Sequence, residues 1–223
     1  MKQCRCLLFD LDGTLLDSRD AVIDAVMYTA EHYLPGMFTR EQLLARFGES
    51  FDDFLASEVA PHTKAFNREE IFGTFFAYVD EHHDRQIRLF PRVKEGLQAL
   101  RGAGYQLAVV TNKQRTYTVR GLQIAGILNL FDAIVTIDDV RKGKPSAEPL
   151  QIAMNKLNVC PDEAVMVGDS KYDLLAAKAA GVKSVLLQWY GTEPTIEAMA
   201  DCRFADFQTF ADELLNAKSL ERM

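Results

Sequence analysis

Short, mainly apolar runs alternate with stretches of helical periodicity along this chain, and that alternation leaves few folds open. The runs Cys4–Phe9, Gln106–Thr111, Ala133–Thr136, Ala164–Val167 and Lys183–Leu187 read as strands. Between them Val93, Leu97 and Leu100 recur at helical spacing, and Gly102 and Gly104 stop that helix. Tyr117–Ile124, Leu150–Leu157 and the alanine-rich Leu174–Ala180, closed by Gly181, continue the pattern. Strands alternating with helices predict a parallel sheet with right-handed crossovers, an α/β core.

One region breaks the rule. From about Asp17 to Arg88 only helical periodicity is visible, with Ala21, Ala25, Val26 and Tyr33 marking one helix. Ile71, Phe72, Phe75, Phe76 and Val79 mark another, and ordinary helix packing explains such a stripe. The expectation is a core from residues 1–16 and 89–223, with 17–88 inserted as a small helical domain. Its hinges should lie near Leu16–Ser18 and Leu89–Pro91. The tail from Thr192, with Phe207, Phe210, Leu214 and Leu215, reads as a closing helix and a frayed end.

Polar clusters fall where strands run out. Asp10-Leu11-Asp12-Gly13-Thr14 follows the first run, Thr111-Asn112-Lys113 the second, and Gly168-Asp169-Ser170 with Asp173 the fourth. Lys144-Pro145 lies in the loop after the third. Residues two apart on an extended chain project to one side, so Asp10 and Asp12 can converge. Ligands of open parallel sheets bind beyond the carboxyl ends of the strands, which makes one shared site the economical reading. Asp10, Asp12, Asp169 and Asp173 would crowd negative charge that a hard divalent cation relieves, Mg²⁺ rather than zinc given oxygen donors. Lys144 and Lys113 would balance an anionic ligand, and Thr111, Asn112 and backbone N–H groups would donate to it. Such a set suits a phosphoryl group, and a carboxylate can attack phosphorus.

These motifs resemble those of the haloacid dehalogenase superfamily of phosphatases, over nearly the whole chain. Asp10–Thr14 is similar to the first motif, Thr111 to the second, Lys144 to the third, and Gly168–Ser170 with Asp173 to the fourth. The run Gly104–Lys113 is similar to the phosphoglycolate phosphatase branch. One departure is Ser146-Ala147-Glu148-Pro149, where relatives commonly carry a short acidic residue or histidine and then a second proline. The resemblance implies a Rossmann-like three-layer core with an inserted α-helical cap. It implies Asp10 as nucleophile and Mg²⁺ ligand, and Asp12 as acid and base whose carbonyl oxygen helps hold the metal. Asp169 would bind Mg²⁺ directly and Asp173 directly or through water. Thr111 and Asn112 would grip phosphate, and Lys144 would orient Asp10. The activity implied is Mg²⁺-dependent hydrolysis of a small phosphorylated metabolite, 2-phosphoglycolate-like, through an aspartyl-phosphate. A pyrophosphatase or a phosphosugar mutase keeps the same chemistry, and a catalytically silent phosphate-binding protein would keep only the fold.

Plainer roles compete at several positions. Asp169, Ser170 and Thr111 suit helix caps, Asp173 a solvated helix position, and Lys113 a solvent-facing turn. Gly48 suits either a loop over the substrate or an interhelical turn, and His82-His83 a surface position. Cys4 and Cys6 should share a strand face, and all four cysteines should be reduced thiols, buried or half-buried. The net charge of −7 and the lack of a basic, aromatic-interleaved stretch exclude a general nucleic-acid binder. No apolar run approaches the ~20 residues that span a bilayer, so a cytoplasmic monomer or homodimer is expected.

Overall fold

The structure, a computed structural model, describes residues 4–62 and 67–221. Its strands are β1 (Cys6–Phe9), β2 (Leu16–Asp17), β3 (Arg88–Leu89), β4 (Gln106–Val110), β5 (Ala133–Val135), β6 (Ala164–Gly168), β7 (Lys183–Leu187) and β8 (Cys202–Phe204). Six form one parallel sheet in the order β5-β4-β1-β6-β7-β8, with Leu8 registered between Ala108 and Met166. From β1 the chain works outward through β4 and β5, then returns to β6 and works outward the other way. The loops leaving β1 and β6 therefore diverge and open a crevice between them, the usual ligand position in such sheets.

Helices α1 (Arg19–Tyr33), α2 (Arg40–Leu44), α3 (Phe51–Phe54) and α4 (Arg68–Gln86) fall between β1 and β4. The helices α5 (Val93–Gly102), α6 (Arg115–Ile124), α7 (Glu148–Leu157), α8 (Lys171–Ala180), α9 (Pro194–Glu197) and α10 (Phe207–Glu221) belong with the sheet. Strand side chains alternate between the faces and so build two cores. Leu7, Phe9, Leu107 and Val109 pack against Leu97 and Leu100 of α5 and Phe207 and Phe210 of α10. Cys6, Leu8, Ala108 and Met166 face Leu150 and Ala153 of α7 and Ala176 and Ala177 of α8. Each large side chain fully buried this way stabilises by about 1.5–3 kcal/mol. The strands that carry the site are thus covered on both faces.

The inserted helices have an apolar cluster of their own, centred on Ile23, Leu43, Phe54, Leu55 and Ile71. Both ends of the insert pass through the antiparallel β2–β3 ribbon, where Leu16 pairs with Leu89 and Asp17 with Arg88. The ribbon and β8 are strands the sequence reading lacks. Two-residue strands carry no periodicity, and β8 is a short edge strand with Cys202 and Arg203 exposed. Strand β1 begins at Cys6, so Cys4 packs against the α5–α10 side while Cys6 lies on the other, and the two do not share a face. Cys160 and Cys202 are exposed rather than buried or half-buried. Among the described residues no helix is long and apolar enough to cross a membrane.

Candidate active site

Strand β1 delivers Asp10 and Asp12 to the crevice, and Gly13 turns the chain away at φ +84°. A Cβ at that glycine would stand 2.3 Å from Asp169 Oδ2 and 2.6 Å from the Phe47 ring, so only glycine lets the β1 and β6 loops meet. Asp10 is 5 % exposed and receives a hydrogen bond from Lys144 Nζ at 2.6 Å. The same ammonium donates to Asp173 Oδ1 at 2.5 Å. Lys144 itself is 2 % exposed and comes from the loop after β5, which Asn112 clamps. Asn112 Oδ1 accepts from Lys144 N at 2.8 Å, while its Nδ2 donates to Lys144 O at 2.9 Å.

Asp173 does not face solvent. It is fully buried in the first turn of α8, where its Oδ2 accepts from Ser170 N at 3.1 Å and Ser170 Oγ at 2.7 Å. Ser170 therefore caps α8, as the plainer reading supposed, and the cap also fixes a site carboxylate. Asp169 Oδ1 accepts from Thr14 Oγ1 at 3.0 Å. The Thr14 carbonyl in turn accepts from Trp189 Nε1 at 3.1 Å, tying the β1 turn to the loop after β7.

One carboxylate oxygen from each of Asp10, Asp169 and Asp173 lies within 4.8 Å of the others. Among the described residues a single ammonium, that of Lys144, faces these three acids, so charge is not balanced. Burial pushes Asp10 up to about 7 against the pull of Lys144. Burial also raises Asp169, with the neighbouring Asp173 and Asp10 charges adding to it. Burial alone would lower Lys144, but Asp10 and Asp173 outweigh it and hold the ammonium charged. Three hard oxygen donors with excess negative charge fit a divalent cation.

The carboxylate of Asp12 stands outside that cluster. Lys113 Nζ donates to its Oδ1 at 2.8 Å and its Oδ2 at 3.0 Å, and Ser18 Oγ donates to Oδ1 at 2.5 Å. Burial opposes ionisation here, but Lys113 and Ser18 win and hold the carboxyl below the usual range. Lys113 is thus half-buried and paired rather than a solvated turn lysine. Thr111, at the end of β4, is buried, and its Oγ1 accepts from Lys113 N at 3.2 Å.

Gly48 reaches the sheet from the insert: its carbonyl accepts from Asn112 Nδ2 at 3.3 Å. Its φ of +90° and a phantom Cβ 2.7 Å from Ser170 Oγ demand glycine. All nine residues singled out in the sequence therefore gather at one edge. The reading missed Thr14, Ser18 and His83, whose side chains support or border the site. Thr14 stood inside the first motif, but a hydroxyl six residues beyond Asp12 gave no local signal for Ser18. His83 is 4 % exposed, not on the surface, with Nδ1 3.1 Å from Asp84 Oδ1. The stripe on α4 packs into the insert's cluster at Ile71 and Phe72, as expected, but Phe72, Phe75, Phe76 and Val79 also border a cavity of about 450 Å³ that includes Asp10 and Asp12.

A sequence profile of the haloacid dehalogenase-like hydrolases matches residues 7–187, and the chain belongs to that family. Among its relatives, the protein named pyrophosphatase PpaX from Bacillus velezensis is 38 % identical over 192 residues, 84 % of this chain and 85 % of that one. PpaX from Bacillus pumilus is 38 % identical over 184 residues, 82 % of each. A crystal structure titled a predicted phosphoglycolate phosphatase, from Haemophilus somnus, superposes with a TM-score of 0.81 at 28 % identity, over 95 % of this chain and 98 % of that one. A hydrolase from Pseudomonas syringae shares the fold, with a TM-score of 0.83 at 23 % identity over 96 % and 98 %.

Proposed function

We propose that this chain is a Mg²⁺-dependent phosphatase that hydrolyses a small phosphorylated metabolite through an aspartyl-phosphate on Asp10. The observation that carries it is the cluster of buried Asp10 and Asp173, both paired with Lys144, and half-buried Asp169, beside a second, separately held carboxylate at Asp12. Asp10 and Asp169 would hold Mg²⁺, with Asp173 close enough to join them and the Asp12 main-chain carbonyl completing the protein's share. Bound there, the ion would neutralise phosphoryl oxygens and keep Asp10 ionised.

Lys144 aims one Asp10 oxygen and leaves the other to attack phosphorus. As the new Asp10–phosphorus bond forms, the ester bond breaks and the departing oxygen takes a proton from Asp12. Lys113 now keeps Asp12 ionised, so we assign Lys113 a second partner: it transfers to the phosphoryl oxygens when substrate binds and frees Asp12 to carry a proton. In the second half Asp12 removes a proton from water, water attacks the phosphoryl group, and the phosphorus–Asp10 bond breaks. Asn112 and Thr111 position the loop and donate to phosphate, and residues 17–88 act as a cap domain that excludes bulk water.

The relatives' names point to two first substrates, diphosphate and 2-phosphoglycolate. The pyrophosphatase reading has one observation in its favour: an ionised Asp12 suits a departing phosphate, which needs a proton less than an alkoxide does. Phosphate release from acetyl phosphate, diphosphate and 2-phosphoglycolate with and without Mg²⁺ tests the proposal. Chelation and Asp10→Asn should each remove turnover, the substitution by at least about 10⁴-fold. An Asp10→Asn protein within tenfold of the parent (about 1.4 kcal/mol in barrier) would overturn it.

A further inference from the structure

We infer that the leaving group this site is built for carries a flat apolar ring and no second anionic group. The inference rests on the phosphatase reading above and concerns the half of the substrate beyond the phosphoryl group. The cavity leading from Asp10 and Asp12 into the insert holds about 450 Å³. That is the size of a pocket for a sizeable organic molecule, which runs roughly 300–1,000 Å³. Diphosphate or 2-phosphoglycolate, each roughly twice the size of phosphate, would leave much of it to water.

The walls beyond the carboxylates are aromatic: Phe47, Phe51, Phe72, Phe75, Phe76 and Tyr117. Phe51 and Phe75 stack with centroids 4.0 Å apart, and Phe76 of α4 lies parallel to Tyr117 of α6 at 5.2 Å and 8°. The five phenylalanines are only half-buried, so they keep apolar surface toward the cavity. Covering such surface with a ring is favourable, and aromatic pairs add face-to-edge or offset preferences.

The charges argue the same way. Among the described residues the cations on the wall are Arg46, Arg68 and Lys113, and each is engaged. Arg46 donates to Glu49 and Glu58, both at 2.7 Å, Arg68 is paired with Asp52, and Lys113 holds Asp12. The acids Asp10, Asp12, Glu49, Asp52 and Asp138 outnumber them on the same wall. Lys113 can serve the phosphoryl group, but a second anion would find no unpaired cation and an excess of carboxylates. Of the buried polar atoms described without a partner, only His83 Nε2 belongs to a cavity-lining residue. Burial and Lys113 lower its pKa, so His83 adds no cation to that wall.

The test compares kcat/KM of the full-length protein with Mg²⁺ for benzyl phosphate and 2-naphthylmethyl phosphate against 2-phosphoglycolate and diphosphate. Acetyl phosphate serves as a small, reactive reference. Benzyl alcohol and glycolate are comparably poor leaving groups, so the comparison between those two esters reports the cavity. The ring esters should exceed 2-phosphoglycolate and diphosphate by at least about tenfold, chiefly through KM. Phe75→Ala should lower the ratio of benzyl to acetyl phosphate turnover by at least about tenfold, and Phe75→Leu, which keeps the wall apolar, by much less. Equal or better use of 2-phosphoglycolate or diphosphate, with acetyl phosphate hydrolysed, overturns this inference and leaves the phosphatase reading standing. Phosphate release from none of the compounds overturns both.

Discussion

The sheet edge and the helical insert border the same cavity, yet different forces shape the two walls. On the sheet side, Asp10, Thr111 and Asp169 are fixed by β1, β4 and β6, and Lys144 is locked between Asp10 and Asp173. On the insert side half-buried phenyl rings of Phe47, Phe51, Phe72, Phe75 and Phe76 stand among aliphatic and polar side chains. The described polar ties across to the sheet and its helices are few. Asn112 reaches the Gly48 carbonyl, Tyr117 donates to Asp80 at 3.1 Å, Arg120 holds Asp80 and Asp84, and near the hinge Ser18 donates to Asp12 and Tyr190 to Asp17. A buried charge network tolerates almost no rearrangement, because each group moved leaves another unpaired. Apolar packing is non-directional and admits exchange of one ring for another. The comparison assigns bond-making to the rigid wall and choice of substrate to the adaptable one.

The sharpest way to break this division is Asp12→Asn. In the proposed mechanism the same carboxyl serves both half-reactions, so kcat should fall about 10²–10⁴-fold on every substrate. Steady-state kinetics showing a loss confined to one ester, or to KM, would place Asp12 in recognition instead. Next in size is Lys144→Ala, which leaves Asp10 and Asp173 buried without their cation. Stability should drop by about 3–5 kcal/mol in chemical denaturation; a drop below about 1 kcal/mol would mean that the charges are not locked as described.

Gly48→Ala probes the other wall. An alanine at φ +90° costs about 1–3 kcal/mol of strain, and its Cβ would press on Ser170 2.7 Å away. The expected result is a raised KM with kcat largely kept, and an unchanged KM would detach the Gly48 loop from substrate binding.

The smallest effect is in pH. Asp10 has a folded value of about 7 against 3.8 for the free side chain. Between these values the unfolded chain has released a proton that the metal-free native site retains. Stability of the metal-free protein should therefore fall as pH rises through that window. Mg²⁺ bound to the ionised carboxylates should raise Tm by an increment that grows over the same window. Thermal scans with an increment that stays flat with pH would dissociate the cation from Asp10.

Much of the sheet side was legible because its signals are local. Apolar runs at Gln106–Val110 and Ala164–Gly168 end in Thr111 and Asp169, and strand ends on one sheet edge are neighbours by topology. The two ends of the insert paired as an unseen ribbon because Leu16 and Leu89 are far apart in sequence. Phe75 and Phe76 gave the right helix but the wrong surroundings, since periodicity reports which residues share a face and not what lies opposite. His83 illustrates the same gap: a histidine near a helix end reads as surface until Tyr117 and α6 pack over it.

Order along the chain by itself determined the alternating α/β core, the helical insertion and the set of polar residues that gather at one sheet edge. Local preference and the parallel crossover rule are enough for that, because each depends on neighbours in sequence. Only the tertiary structure decided that one lysine serves Asp10 and Asp173 together, that Lys113 restrains Asp12, and that the phenylalanine stripe lines the cavity. Those facts depend on burial and on distances between side chains up to 134 positions apart, which no window of sequence contains.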